Sequence, residues 1–124
     1  MRVENKENIQ KLQNLPIGIQ DFEKLRSGNY LYIDKSAIMY ELVSTGCYFF
    51  LSRPRRFGKS MLISMLKAYF LGKKELFKGL AVEQLEQEWL EYPVLHLDLN
   101  TAKYIEEDSL NNVLNNALEK WETL

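Results

Sequence analysis

The chain has 124 residues, enough for one small domain and too few for two. At 46% hydrophobic and 27% charged it is too apolar for wholesale disorder. Its 16 basic and 17 acidic residues leave a net charge of −1, which argues against a general nucleic-acid-binding surface. One cysteine, Cys47, excludes an intrachain disulfide and fits a reducing compartment. The N-terminus lacks an apolar signal core, and no apolar stretch is long enough to span a bilayer, so the expected location is cytoplasmic.

In chain order, residues 1–14 are charged and amide-rich and read as a polar arm, with the folded portion at 15–124. A short helix is expected over 21–26 with Asp21 as its cap, then a turn at Ser27, Gly28 and Asn29. Residues 30–33 read as a short extended segment. After Asp34, Lys35 and Ser36, helical spacing of Ile38, Met39, Leu42 and Val43 predicts a helix stopped by Gly46. Residues 47–52 form an apolar run of strand length, rich in aromatics, as a buried strand would be. From Lys59, the stripe Met61, Leu62, Met65, Leu66, Tyr69 and Phe70 predicts a strong helix ended by Gly72. Another helix is expected over 82–91, stopped by Pro93. A second buried strand is expected over 94–99, and a last amphipathic helix over 106–121. Strands alternating with helices predict an α/β fold with parallel strands at about 47–52 and 94–99.

The first of those strands would feed a turn crowded with cations, Arg53, Arg55, Arg56 and Lys59, around Pro54 and Gly58. A strand, a tight loop and a helix N-terminus together form a setting for phosphate, because unpaired N–H groups and the helix dipole face the anion. Gly58, Lys59 and Ser60 supply the side chains of a P-loop (the Walker A element). Glycine permits close backbone approach, lysine reaches the β- and γ-phosphates, and serine ligates Mg²⁺. The expected nucleotide-binding residues are Arg55, Arg56, Phe57, Gly58, Lys59, Ser60 and Met61, with ATP and Mg²⁺ as cofactors and nucleotide as partner. The formula G-x-x-x-x-G-K-[ST] places a glycine where this chain has Arg53, so the match is incomplete. Two other readings stand beside it. One is a solvated arginine-rich turn. The other is a nucleic-acid-binding loop using the arginines with Phe50 and Phe57, which the balanced charge disfavours.

The segment YIDKS at 32–36 and the string SRPRRFGKS at 52–60 resemble the AAA-ATPase-like family of bacterial P-loop proteins, and the similarity runs from about Leu15 to Asn100. The resemblance implies an ATPase fold and nucleotide binding, and the family accepts a non-glycine where Arg53 stands. It also implies that Tyr32, Asp34 and Lys35 pack near adenine and ribose, although a simple helix cap is the favoured role for Asp34. Asp98, ending the apolar VLHLD, resembles a Walker B aspartate. Leu99 follows it in place of the catalytic glutamate, and a strand-end turn is the favoured reading. His96, Trp89 and Trp121 are expected in the core.

Hydrolysis needs a metal-holding acid and a water-orienting group, and no apolar strand ending in Asp-Glu follows Asn100. The catalytic residues are therefore unassigned. The chain is expected to be an N-terminal fragment that binds ATP and hydrolyses it weakly or not at all, lacking the C-terminal part of its domain. The two strands would either await later strands or pair directly. The alternative is a non-catalytic interaction module whose arginine-rich turn binds an acidic partner or nucleic acid.

Overall fold

The structure, a computed structural model, describes residues 12–54, 58–101 and 107–123. The chain divides into two compact units, Met1–Tyr92 and Pro93–Leu124. The first contains helices α1 (Phe22–Ser27), α2 (Ser36–Thr45), α3 (Lys59–Phe70) and α4 (Ala81–Leu85), with a 3₁₀ turn at Lys74–Phe77. The second contains a 3₁₀ turn at Leu99–Thr101 and helix α5 (Ser109–Glu122).

The parallel α/β architecture is corrected by this structure. Among the described residues there is no strand, and the runs at 47–52 and 94–99 have no regular structure apart from the 3₁₀ turn that starts at Leu99. A strand exists only through hydrogen bonds to a neighbour, and an apolar run of the right length does not supply one. Both runs are largely solvent-facing, with Tyr48 97% and Phe50 93% exposed. His96, expected in the core, is exposed as well.

The core of the first unit is helical. Phe22, Met39, Met65, Ala68, Phe77, Leu80 and Val82 are buried together. Phe22 stacks obliquely on Phe77, with ring centroids 4.9 Å apart, and meets Tyr32 edge-on at 5.5 Å. Burial of this kind stabilises by roughly 1.5–3 kcal/mol per large apolar side chain. α1 begins where the Asp21 carboxylate accepts from Lys24 N at 2.9 Å. It packs on α3, where Ser64 Oγ accepts from Phe22 N at 2.9 Å. Arg26 donates to the carbonyls of Leu76 and Lys78 at 2.8 and 2.6 Å, tying α1 to the turn before α4.

α2 and α4 are joined by one polar node. Asp34 Oδ1 accepts from Ser36 N at 2.9 Å and from Ser36 Oγ at 2.6 Å. Asp34 Oδ2 accepts from Ala81 N at 2.7 Å, and Ser36 Oγ accepts from Val82 N at 3.1 Å. One carboxylate and one buried hydroxyl thus satisfy first-turn N–H groups of two helices.

α3 ends in a Schellman motif. Lys73 N donates to Ala68 O and Gly72 N to Tyr69 O, both at 3.1 Å, and Gly72 is left-handed at φ +71°. Beyond α4 the helix expected over 82–91 stops at Leu85, and Trp89 takes φ +43°, which no helix tolerates. In the second unit α5 presents a half-buried stripe of Val113, Leu114, Ala117 and Trp121. Val113, Ala117 and Trp121 form one side of a groove of about 400 Å³ whose other side is Leu97 and its neighbours.

Partial desolvation draws the Asp34 carboxyl upward, but its hydrogen bonds from Ser36 and Ala81 outweigh this and hold it below the ordinary aspartate value. A carboxyl depressed on folding contributes stability that is complete above its unfolded pKa, about 3.9, and is lost as pH falls through the folded value. Asp34→Ala is therefore expected to lower unfolding free energy by about 1–2 kcal/mol at neutral pH. In denaturant titrations the gap between wild type and variant should shrink in acid. A gap that is absent at neutral pH, or equally wide in strong acid, would remove Asp34 from this role.

Candidate functional site

The loop expected to hold a nucleotide is only partly within the described residues, because Arg55, Arg56 and Phe57 lie outside them. Gly58 is the N-cap of α3, left-handed at φ +81°, and a Cβ there would meet nothing within 4 Å. Lys59 and Ser60 open α3 on an exposed face, and Met61 is half-buried against the core. Residues 47–54 upstream have no regular structure.

This arrangement corrects the P-loop reading, and with it ATP as ligand, Mg²⁺ as cofactor and nucleotide as partner. A phosphate cradle works because a strand fixed in a sheet aims the loop amides at one point. Among the described residues no strand exists to do so. Nor does any group of three or more His, Cys, Asp or Glu side chains among the described residues suit a metal ion. Asp98, the Walker B candidate, accepts from Asn100 N at 2.9 Å, as in an Asx turn. Tyr32, Asp34 and Lys35 belong to helix packing and capping: Tyr32 Oη donates to Met65 Sδ at 3.2 Å and accepts from Lys35 N at 3.4 Å.

The first unit does contain a built cavity of about 230 Å³, between α2, the end of α3 and residues 86–92. Val43 and Ser44 contribute from α2, and Tyr69 and Phe70 from α3. Glu86, Glu88, Trp89, Leu90 and Tyr92 contribute from the segment after α4. That segment is anchored at both ends: Glu86 N donates to Val82 O at 2.8 Å, and Tyr92 N to Phe70 O at 2.7 Å. Tyr69 meets Phe70, Trp89 and Phe77 edge-on, and Phe70 meets Tyr92 the same way at 6.0 Å.

Glu86 is the polar centre. Its Oε2 accepts from Tyr69 Oη and its Oε1 accepts from Glu88 N at 3.0 Å. The phenol, followed by the backbone donors, holds the Glu86 carboxyl below the ordinary glutamate range. In turn, burial and then the hydrogen bond to Glu86 push the Tyr69 phenol up, beyond any physiological titration. The Trp89 indole Nε1 is buried and has no hydrogen-bond partner among the described residues. A buried unpaired donor costs about 1–3 kcal/mol, and left-handed backbone at a tryptophan adds about 1–3 kcal/mol. Gly72 makes room for this: a Cβ there would stand 3.3 Å from Trp89 O and 2.8 Å from Glu91 Cγ.

This cavity is absent from the sequence reading. Assigning 82–91 to one helix places Glu86, Trp89 and Tyr92 on a regular surface instead of around a hollow. The signals available were Gly72, the clustered Glu86, Glu88 and Glu91, and the density of aromatics from Tyr69 to Tyr92.

A compact helical unit with an aromatic and acidic hollow defines a helical domain, not by itself an enzyme class. The family comparison goes further: the model described as "Predicted AAA-ATPase" matches residues 16–124, and the chain belongs to this AAA-ATPase-like family. It is 44% identical over 86 residues to a protein of Azotobacter chroococcum mcd 1 described as "Uncharacterized protein in vnfD 5′ region". Those residues are 68% of this chain and 17% of that protein, so the chain spans a small part of its curated relative. No solved structure matches the chain.

Two variants test the geometry. Tyr69→Phe removes the donor to Glu86 and should raise the Glu86 pKa, read by carboxyl NMR titration, with a loss of about 1 kcal/mol after solvent screening. An unmoved Glu86 titration would show that the phenol is not its principal partner. Gly72→Ala should cost about 1 kcal/mol or more, since alanine must hold a positive φ against the Trp89 carbonyl. Unchanged thermal unfolding would contradict the close approach.

Proposed function

We propose that this chain is an assembly module, whose apolar run after α2 pairs with an edge of another polypeptide stretch. The exposure of that run carries the reading: Tyr48 and Phe50 lie almost wholly in solvent, and Phe49 is 54% exposed. The Phe49 ring sits over Gly46, where a Cβ would come within 2.6 Å of it. This contact ties the run to the end of α2. Residues 47–51 carry no charge and no proline, the devices that blunt exposed edges, and Arg53 and Pro54 come only after Ser52. An uncharged, solvent-exposed aromatic run is suited to main-chain pairing, with alternate side chains supplying the apolar contact.

The matched relative is far longer than this chain, which fits an edge covered by further polypeptide. In the isolated chain the same edge is available to a second copy, and antiparallel pairing of two identical runs is self-complementary. The cytoplasm is the compartment this reading favours. Cys47 lies at the start of the run as an exposed free thiol, which suits a reducing environment. Among the described residues no helix is long and apolar enough to cross a membrane.

The test is sedimentation of the 124-residue chain over a range of concentrations, beside a Tyr48→Lys/Phe50→Lys variant. Wild type should self-associate, with amide exchange slowed across 47–51. The doubly charged variant should stay monomeric with its helical circular dichroism intact. A wild type that remains monomeric with freely exchanging 47–51 amides, or a variant that associates equally, would refute the assembly role.

A further inference from the structure

The cavity beside Trp89 is independent of the exposed run and has a chemistry of its own. We propose that it binds a small organic cation, a guanidinium or alkylammonium group of the kind carried by an arginine or lysine side chain. Size comes first. At about 230 Å³ the hollow is smaller than the roughly 300–1,000 Å³ usual for drug-sized ligands. It suits a side-chain head and is too small for a nucleotide.

The walls select the charge. Tyr69, Phe70, Trp89 and Tyr92 line the cavity, and neighbouring rings meet at 63° to 80°. Four aromatic side chains crowd the hollow, and aromatic rings attract a cation. Glu86 and Glu88 are the charged residues of the lining; no lysine or arginine lines it among the described residues. Glu86 is fixed on both oxygens by Tyr69 and by the Glu88 amide, so its charge is held in place instead of swinging into solvent. A carboxylate beside aromatic faces is a cage for an alkylated or planar cation.

The segment that frames the cavity is held by the Tyr92–Phe70 hydrogen bond and the close Gly72–Trp89 approach. The walls are therefore largely formed before a ligand arrives.

The experiment follows the Trp89 indole N–H resonance, assigned by its loss in Trp89→Phe, as the chain is titrated at constant ionic strength. The probes are acetyl-arginine amide, acetyl-lysine amide, free guanidinium chloride and acetyl-citrulline amide, the neutral isostere of arginine. Saturable shifts are expected for the arginine and lysine amides and none for citrulline, with affinity weakened about tenfold in Glu86→Gln and in Glu88→Gln. Guanidinium binding as tightly as the amides assigns the site to free small cations, and tighter amide binding assigns it to a side chain of a polypeptide. Citrulline binding like arginine, no saturable shift with any probe, or both glutamine variants binding like wild type would overturn the proposal. Glu88 is exposed and accepts no hydrogen bond described for the core, so its variant keeps the test decisive if Glu86→Gln unfolds.

Discussion

The first unit depends on a carboxylate and a hydroxyl that stand between two helices. Asp34 and Ser36 each serve α2 and α4 at once, and four hydrogen bonds converge there. The polar contacts are directional, so they fix the angle at which α4 leaves the turn after Leu80. That angle places Val82 in the core, fully buried beside Met39 and Phe77. Packing alone would accept several angles, since apolar contact is nondirectional. Within 34–36 the sequence supplies both a helix start and a link to a segment forty-odd residues away.

Helices whose information is local could be read from the chain. α1 has its cap in Asp21, and α3 has an apolar stripe from Met61 to Phe70 and a glycine at the left-handed position that closes it. These signals act over one to three turns, the range across which a sequence pattern reports on structure. Asp34 was legible as a cap, but its second helix was not, because nothing local in Ala81 or Val82 announces a distant acceptor. The apolar runs at 47–52 and 94–99 failed for a related reason. Strand character lies in the partner as much as in the run, and residues 47–51 have no strand partner among the described residues.

The cation-rich turn shows how a motif depends on its frame. Gly58, Lys59 and Ser60 do begin a helix, with glycine in the conformation that favours it. What the motif also needs is a preceding strand held in a sheet, and that strand is missing among the described residues. Membership of the AAA-ATPase-like family rests on the match over 16–124, and a family name does not place amides around a phosphate.

The region around Trp89 was the least legible part of the chain and is the most strained. Two unfavourable features coincide there: a left-handed tryptophan, and a buried indole N–H with no acceptor among the described residues. Each is tolerable singly. Together they oppose the helical continuation that the sequence pattern suggests after Leu85. The core contact of Trp89 with Phe77, at 5.3 Å, and its edge contact with Tyr69, at 5.8 Å, compensate by burying a large aromatic surface. A helix over 82–91 would keep the backbone relaxed but withdraw that ring from Phe77. Packing therefore outweighs local propensity at this point, and the hollow framed by Tyr69, Glu86 and Tyr92 is the geometric result of that competition.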